Sequence, residues 1–418
     1  MKLFLSLFGF GLLASLNVRA EPQETRPASF SEILKSGGDS SPAILLERLE
    51  ARALRARGLS GIGRVFPELG VEGGGRSDRE KEKRNDLFYY GYARYELGLS
   101  EIGELRAGLA RKDLGNLTLK MARAKGLQAL SIEFFKALSI QKQIELKEDD
   151  FSAADKQIGA AKKRVDAGLA TESDVLEFRM HQSVLKNDLR GLKIDLDLAF
   201  RELERIGGLN FKISNLKYEI SDPVESLQLD GALKSALSNS VELEKKKLER
   251  TLAVAEKLSA WGRFLPRLSA EANYGKLQET DFVESRKNSW AIVGKVTIPL
   301  FNGGSSFRKI QEKNAEADRA ELLLALESTR LRQLVGSLVV RQKELSQKLK
   351  GEKENLDFTQ TYFDLVVAEY RRGVKNSPDV ASATDKLFEA KWRIFETWRD
   401  LSLAVIELNV VQGKEWRM

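Results

Sequence analysis

Two hydrophobic periods alternate along this chain. Long stretches repeat every three to four residues, as amphipathic helices do, and four shorter ones alternate every second residue, as strands do. The helical pattern is longest over about residues 100–166 and 305–371. At 1.5 Å per residue each would reach roughly 100 Å if unbroken, well beyond a globular helix. Their partners step by four and three. Leu185, Leu189, Leu192, Leu196, Ala199, Leu203 and Ile206 form one series, and Ile394, Trp398, Leu401, Val405 and Leu408 the other. So narrow a seam buries one helix against another, the spacing of a coiled coil.

The alternating stretches predict strands at 64–75, 87–97, 263–275 and 289–300. In the last of them Trp290, Ile292, Val296 and Ile298 share a face opposite Lys295 and Thr297. Phe264, Leu268, Ala270 and Tyr274 oppose Arg267, Ser269, Glu271 and Asn273; Leu87, Tyr89, Ala93, Tyr95 and Leu97 oppose Arg94 and Glu96. The lengths suit tilted membrane-spanning strands, and they also suit a half-buried soluble sheet. The intervening segments 76–86 and 276–287 are strongly charged, which predicts hairpin tips facing water. Four strands cannot close a barrel on their own, so a membrane reading needs several chains to pool them.

The two halves have the same order of parts. "GRVFPELGVEGGG" from Gly63 answers "GRFLPRLSAEANYG" from Gly262, and Gly91 answers Gly294. "RVDAGLATESDV" from Arg164 answers "YRRGVKNSPDV" from Tyr370, with Gly168 and Gly373 each six positions before an Asp-Val. The chain reads as a tandem duplication. Its expected organisation is a signal segment 1–20, a first repeat 21–208, a linker 209–230, a second repeat 231–412 and a tail 413–418. Each repeat runs helix, strand, strand, long helix, tight turn (167–174 and 372–379), helix. The fold class is mainly α with a small β part.

Composition narrows the chemistry. Lys2, the apolar run Leu3–Leu16 and the ending Val18-Arg19-Ala20 fit a cleaved export signal. The sequence holds no cysteine, which removes disulfides, thiol catalysis and thiolate metal sites. Its net charge of +7 comes from interleaved acids and bases, the pattern of solvated helix faces, and predicts no nucleic-acid partner. No phosphate loop, nucleophile elbow or zinc motif is present. The single histidine, His181, reads as a surface or seam residue. Glu145, Glu148, Asp149 and Asp150 read as a solvated helix face, Trp392 and Trp398 as seam residues, and Trp290 as an interfacial aromatic. The expectation is a protein without catalysis, cofactor or metal.

The second repeat turns from strand to helix through Pro299, Leu300, Phe301, Asn302, Gly303 and Gly304. Proline would end strand pairing, and the glycines would permit a sharp corner. This "PLFNGG", the duplication, the glycine-to-Asp-Val tips and the upstream Gly-Arg-x-x-Pro-x-Leu together resemble the TolC-like outer-membrane efflux family, over about residues 30–412. The resemblance implies a homotrimer whose strands form one barrel in outer-membrane lipid and whose helices form a periplasmic tunnel. A belt around the tunnel would include residues 209–230. Such ducts serve inner-membrane pumps through a periplasmic adaptor protein.

By the same resemblance, Ala167, Gly168, Leu169, Arg372, Gly373 and Val374 are the positions where an adaptor docks. Asp174, Tyr370, Lys375 and Asp379 fall at the periplasmic gate, with Lys375 where arginine is usual and Ser382 where a second acidic ring residue is usual. The first repeat's "YELGLSEIG" (95–103) lacks the proline and the double glycine, which predicts a differently shaped first corner. The alternative reading is a soluble periplasmic coiled-coil scaffold or adaptor.

Overall fold

The computed structural model describes residues 24–76, 86–219, 228–276, 289–301 and 303–414. The signal segment, most of both charged hairpin tips, part of the linker, Asn302 and the last four residues lie outside them. One order of elements occurs twice. The first round is β1 (Thr25–Ser29), α1 (Phe30–Ser40), α2 (Pro42–Gly63), β2 (Glu68–Arg76), β3 (Asp86–Leu97), α3 (Leu99–Asp166) and α4 (Glu172–Gly207). The second is β4 (Lys212–Lys217), α5 (Leu229–Asn239), α6 (Val241–Gly262), β5 (Arg267–Lys276), β6 (Ser289–Thr297), α7 (Ser305–Arg371) and α8 (Ser377–Val411).

Each round therefore begins with a short strand and helix that the hydrophobic period did not show. β1 and β4 pair in parallel, with an irregularity between Arg26 and Ala28. The side-chain amide of Gln141 holds β4 to α3, bonding the carbonyl of Leu216 at 3.0 Å and its N–H at 2.8 Å. Around this small sheet sits the largest core, where Phe134, Phe135, Phe395 and Trp398 pack ring against ring. Trp398 is buried and Trp392 stacks on Phe395, so both lie in seams.

Four strands form one antiparallel sheet in the order β2-β3-β5-β6. Two of them start later than their hydrophobic pattern, at Glu68 and Arg267, because α2 and α6 run on to Gly63 and Gly262. A turn then carries each chain to Pro67 or Pro266, closed by Phe66 N–H to the Gly63 carbonyl and Leu265 N–H to that of Gly262. Phe264 thus belongs to a turn. β6 stops at Thr297, so Ile298 and Pro299 lie beyond it. Register aligns Leu69 with Ala93, Leu97 with Leu268, and Tyr274 with Trp290, which puts most apolar residues of the four strands on one face, Phe88 and Val293 lying on the other. That face is uncovered: Val71 is 85% exposed and Trp290 72%. The opposite face is a polar ladder. Tyr90 donates to Glu72 (2.9 Å), Tyr92 to Glu68 (3.2 Å) and Arg94 to Glu271 (2.9 Å). Among the described residues no helix is long and apolar enough to cross a membrane.

The helices make a single curved layer beneath the sheet. Near the sheet their order is α2-α3-α6-α7, and farther away it is α4-α3-α8-α7. Close to the sheet the contacts are between backbones. A Cβ at Gly58 would lie 2.6 Å from the Lys112 nitrogen, one at Gly108 2.7 Å from the Gly58 oxygen, and one at Gly262 would overlap the Ser100 nitrogen. Such small-residue packing lets helices approach more closely than Leu-Leu seams do.

Candidate functional site

The far ends of the two helical hairpins form one site. α3 ends in a C-terminal motif built on Gly168 (φ 71°), whose N–H reaches the Val165 carbonyl at 2.9 Å while Leu169 N–H reaches that of Arg164 at 2.8 Å. α7 ends the same way on Gly373 (φ 83°), with Val374 N–H bonded to the Glu369 carbonyl at 3.0 Å. This left-handed cap favours glycine, which has no Cβ to clash. Ala167 and Arg372 close the last helical turns, and Leu169 and Val374 stand exposed at the extremity, 69% and 72% open to solvent.

The chain re-enters helix through paired caps. Thr171 N–H donates to Asp174 Oδ2 at 3.0 Å, and Asn376 N–H to Asp379 Oδ2 at 3.2 Å. Each is half of a capping box, which satisfies amides that the first turn leaves open. Asp379 goes no further than this cap in its contacts. Asp174 does: its other oxygen accepts from Ser377 Oγ at 2.6 Å, joining the start of α4 to the start of α8. The Ser377 hydroxyl is the chief reason that the Asp174 carboxyl is held below its ordinary pKa.

A residue without a sequence-level role completes the junction. Arg164, in the last turn of α3, donates to the Tyr370 carbonyl of α7 at 2.6 Å and to the Leu169 carbonyl of its own hairpin at 3.0 Å. Its guanidinium also lies 4.4 Å from the centre of the Tyr370 ring. Tyr370 is buried, edge-on to Phe178 at 5.9 Å, within a core shared by both hairpins that includes Ile158, Val175, Val366 and Val380. Burial pushes its phenol pKa up. Lys375 is half-buried and joins no ion pair among the described residues. The site thus brings together Asp174 and Tyr370, with Arg164, Ser377 and Phe178, and leaves Asp379 and Lys375 outside the cross-hairpin contacts.

The two strand-to-helix corners differ in length. After β3 a single residue, Gly98, in extended backbone (φ −166°), precedes α3. A Cβ there would meet Glu101 Oε2 at 2.7 Å and Arg267 Cγ at 3.1 Å. After β6 the chain travels through Ile298, Pro299, Leu300 and Phe301 to Gly303 (φ 69°) and Gly304 (φ 78°), which starts α7. Leu300 and Phe301 project almost fully into solvent, 91% and 86% exposed, beside the apolar face of the sheet. Alanine at both Gly303 and Gly304 is expected to destabilise the corner by about 1–2 kcal/mol per position through backbone strain alone, since no atom lies within 4 Å of either. Thermal unfolding of the doubly substituted protein checks this.

Comparison with known proteins agrees with this geometry. The family model described as "Outer membrane efflux protein" matches residues 232–414, from within α5 past the end of α8. The outer membrane efflux protein BepC of Brucella suis biovar 1 (strain 1330) is 21% identical over 271 residues, an alignment covering 64% of this chain and 59% of BepC. The alkaline protease secretion protein AprF of Pseudomonas aeruginosa is 21% identical over 315 residues, covering 74% and 65%. The chain thus spans less than two thirds of the length of these curated relatives. The crystal structure of the outer membrane protein VceC from Vibrio cholerae superposes with a TM-score of 0.78 at 14% identity, over 92% of this chain and 96% of that one. Residues 232–414 match the outer membrane efflux protein family model, and the chain as a whole has the fold of the TolC-like outer-membrane channels.

Proposed function

We propose that the chain is one protomer of a homotrimeric exit duct in the bacterial outer membrane, a passive conduit with most of its length in the periplasm. The observation that carries this is the pair of open edges. β2 and β6 are the unpaired outer strands of the sheet, and they run in opposite directions. Placing β6 of one copy beside β2 of the next continues the antiparallel order, and a ring of copies removes every edge. The uncovered apolar face then meets lipid and the polar ladder lines the lumen.

The helical layer has matching edges. α4 exposes Leu176, Met180 and Val184 on one side, and α7 exposes Leu365, Tyr362 and Phe358 on the other. The two stripes run antiparallel away from the tip with near-equal spacing. Phe358 and Tyr362 also floor a groove of about 360 Å³ against Lys386, Ala390 and Arg393 of α8, a seat for the neighbour's α4. In this reading Ala167, Gly168, Leu169, Arg372, Gly373 and Val374 present the adaptor-docking surface, and an inner-membrane pump supplies the energy. Asp174, Tyr370, Lys375 and Asp379 belong to the gate, with Arg164 and Ser377 added to it.

The absence of native cysteine makes the test direct. Cysteines at Leu176 and Leu365 should crosslink into covalent dimers and trimers after oxidation of outer membranes. Monomer alone, or recovery of the protein in the soluble periplasmic fraction, would contradict the duct and favour a scaffold.

A further inference from the structure

The three helices α3, α4 and α8 meet above the tip around the chain's only histidine. His181 lies nine residues into α4, about 14 Å from its start at 1.5 Å per residue. Its Nε2 is 3.6 Å from Asp150 Oδ2 of α3, just beyond hydrogen-bond length. The Asp150 side chain is buried, which overturns its sequence reading as part of a solvated face. Both Asp150 Oδ1 and His181 Nε2 are buried without a hydrogen-bond partner.

From the third helix, Asp385 of α8 acts electrostatically on both His181 and Asp150. A cation that acts on the cluster, Lys147 of α3, is already engaged by Asp188 of α4 at 2.7 Å. Two carboxylates thus act on one imidazole in a partly dry seam.

We propose that His181 is a proton-operated clasp that joins α4 to α3 within the first hairpin, where α8 of the second hairpin packs against both. With the imidazole charged, Nε2–H donates to Asp150 and the cation offsets the charge of Asp385, so the seam between α3, α4 and α8 is drawn together. With the imidazole neutral, two carboxylates remain near each other in low dielectric and the seam loosens. The geometry agrees with the direction of titration: chiefly through Asp150, the folded protein holds the His181 pKa above its ordinary value. A group whose pKa is raised on folding contributes below its unfolded pKa, near 6.5, and loses that contribution as pH rises through its folded value. Mild acid therefore favours the closed tip and alkali favours release.

The clasp rests on the duct reading only for its effect on the mouth. Its existence is tested separately, by titrating the single histidine through histidine hydrogen–deuterium exchange mass spectrometry of the full chain, purified with a histidine-free tag. A pKa above 6.5 that falls on Asp150→Asn supports it; a value at or below 6.5 overturns it. In planar bilayers the open-to-closed ratio should rise between pH 6 and pH 8.5, by about tenfold for each unit of raised pKa. His181→Gln should flatten that profile, and a profile unchanged by His181→Gln overturns the proposal. A wild-type protein that never conducts would instead count against the duct, while the exchange titration still decides the clasp.

Discussion

In the proposed duct, Arg164→Met is expected to open the tunnel mouth. The substitution keeps the length and apolar stem of the side chain but removes both donors. It therefore breaks the 2.6 Å bond to the Tyr370 carbonyl and the 3.0 Å bond to the Leu169 carbonyl, and takes the cation off the Tyr370 ring. Hydrogen bonds from a charged donor contribute about 1.5–3 kcal/mol each, and a cation–π contact about 0.5–1 kcal/mol where exposed. Only the two contacts to Tyr370 cross between the hairpins, together about 2–4 kcal/mol, so half of that sum corresponds to a roughly five- to thirtyfold shift toward the open mouth. Arg164→Lys should recover only a fraction, because one ammonium cannot span two carbonyls and stack as a planar fork does. Single-channel conductance in planar bilayers is the measurement. Wild-type conductance in Arg164→Met would mean that the shared apolar core and the Ser377–Asp174 bond suffice to hold the hairpins together.

The second large effect is expected far from the mouth. At Gly262 a Cβ would overlap the Ser100 nitrogen and lie 2.5 Å from the Leu99 carbonyl carbon and 2.7 Å from Ser100 Cα. Those atoms are backbone at the start of α3 and cannot swing aside as a side chain can. Gly262→Val must therefore push α6 off α3 where the helical layer meets the sheet, and overpacking of this kind costs about 1–3 kcal/mol or more. The same displacement disturbs the pairing of β5 with β3, since β5 follows α6 after one short turn and β3 leads into α3 through Gly98 alone. Assembled trimer in the outer membrane should fall sharply, as read by heat-stable oligomer on semi-native gels. Gly191→Ala is the control. Nothing lies within 4 Å of that position, and alanine in a helix interior should stabilise α4 by about 0.5–1 kcal/mol.

The sequence made some elements plain for a physical reason. α3 and α7 begin and end within a residue of their hydrophobic pattern because an unbroken period runs into a glycine cap at both tips. The capping boxes on Asp174 and Asp379 are equally local, each closing within three residues. The short strands β1 and β4 were not, because five or six residues with an irregular register cannot sustain a period-two signal. The strand starts were misjudged because Phe264 and Leu265 look like strand residues while belonging to a turn.

Arg164 was hidden by distance. Its partner carbonyl lies 206 positions away, and a basic residue in a last helical turn ordinarily interacts with its own helix end. Asp150 misled for a related reason. A run of acids on one helix looks solvated until a second hairpin covers it, and α3 is packed by α4 on one side and α8 on the other.

The unequal corners give each protomer two different joints. At Gly98 strand and helix are separated by one extended residue pressed between Glu101 and Arg267, so the axis of α3 is dictated by the direction of β3. Between β6 and α7 the path is longer and passes two left-handed glycines, so the axis of α7 is set by its packing on α6 and α8 and not by the direction of β6. In the proposed ring, staves tied to the direction of their strand alternate with staves that are not. The proposed barrel would then keep its circumference while alternate staves of the wall below it turn.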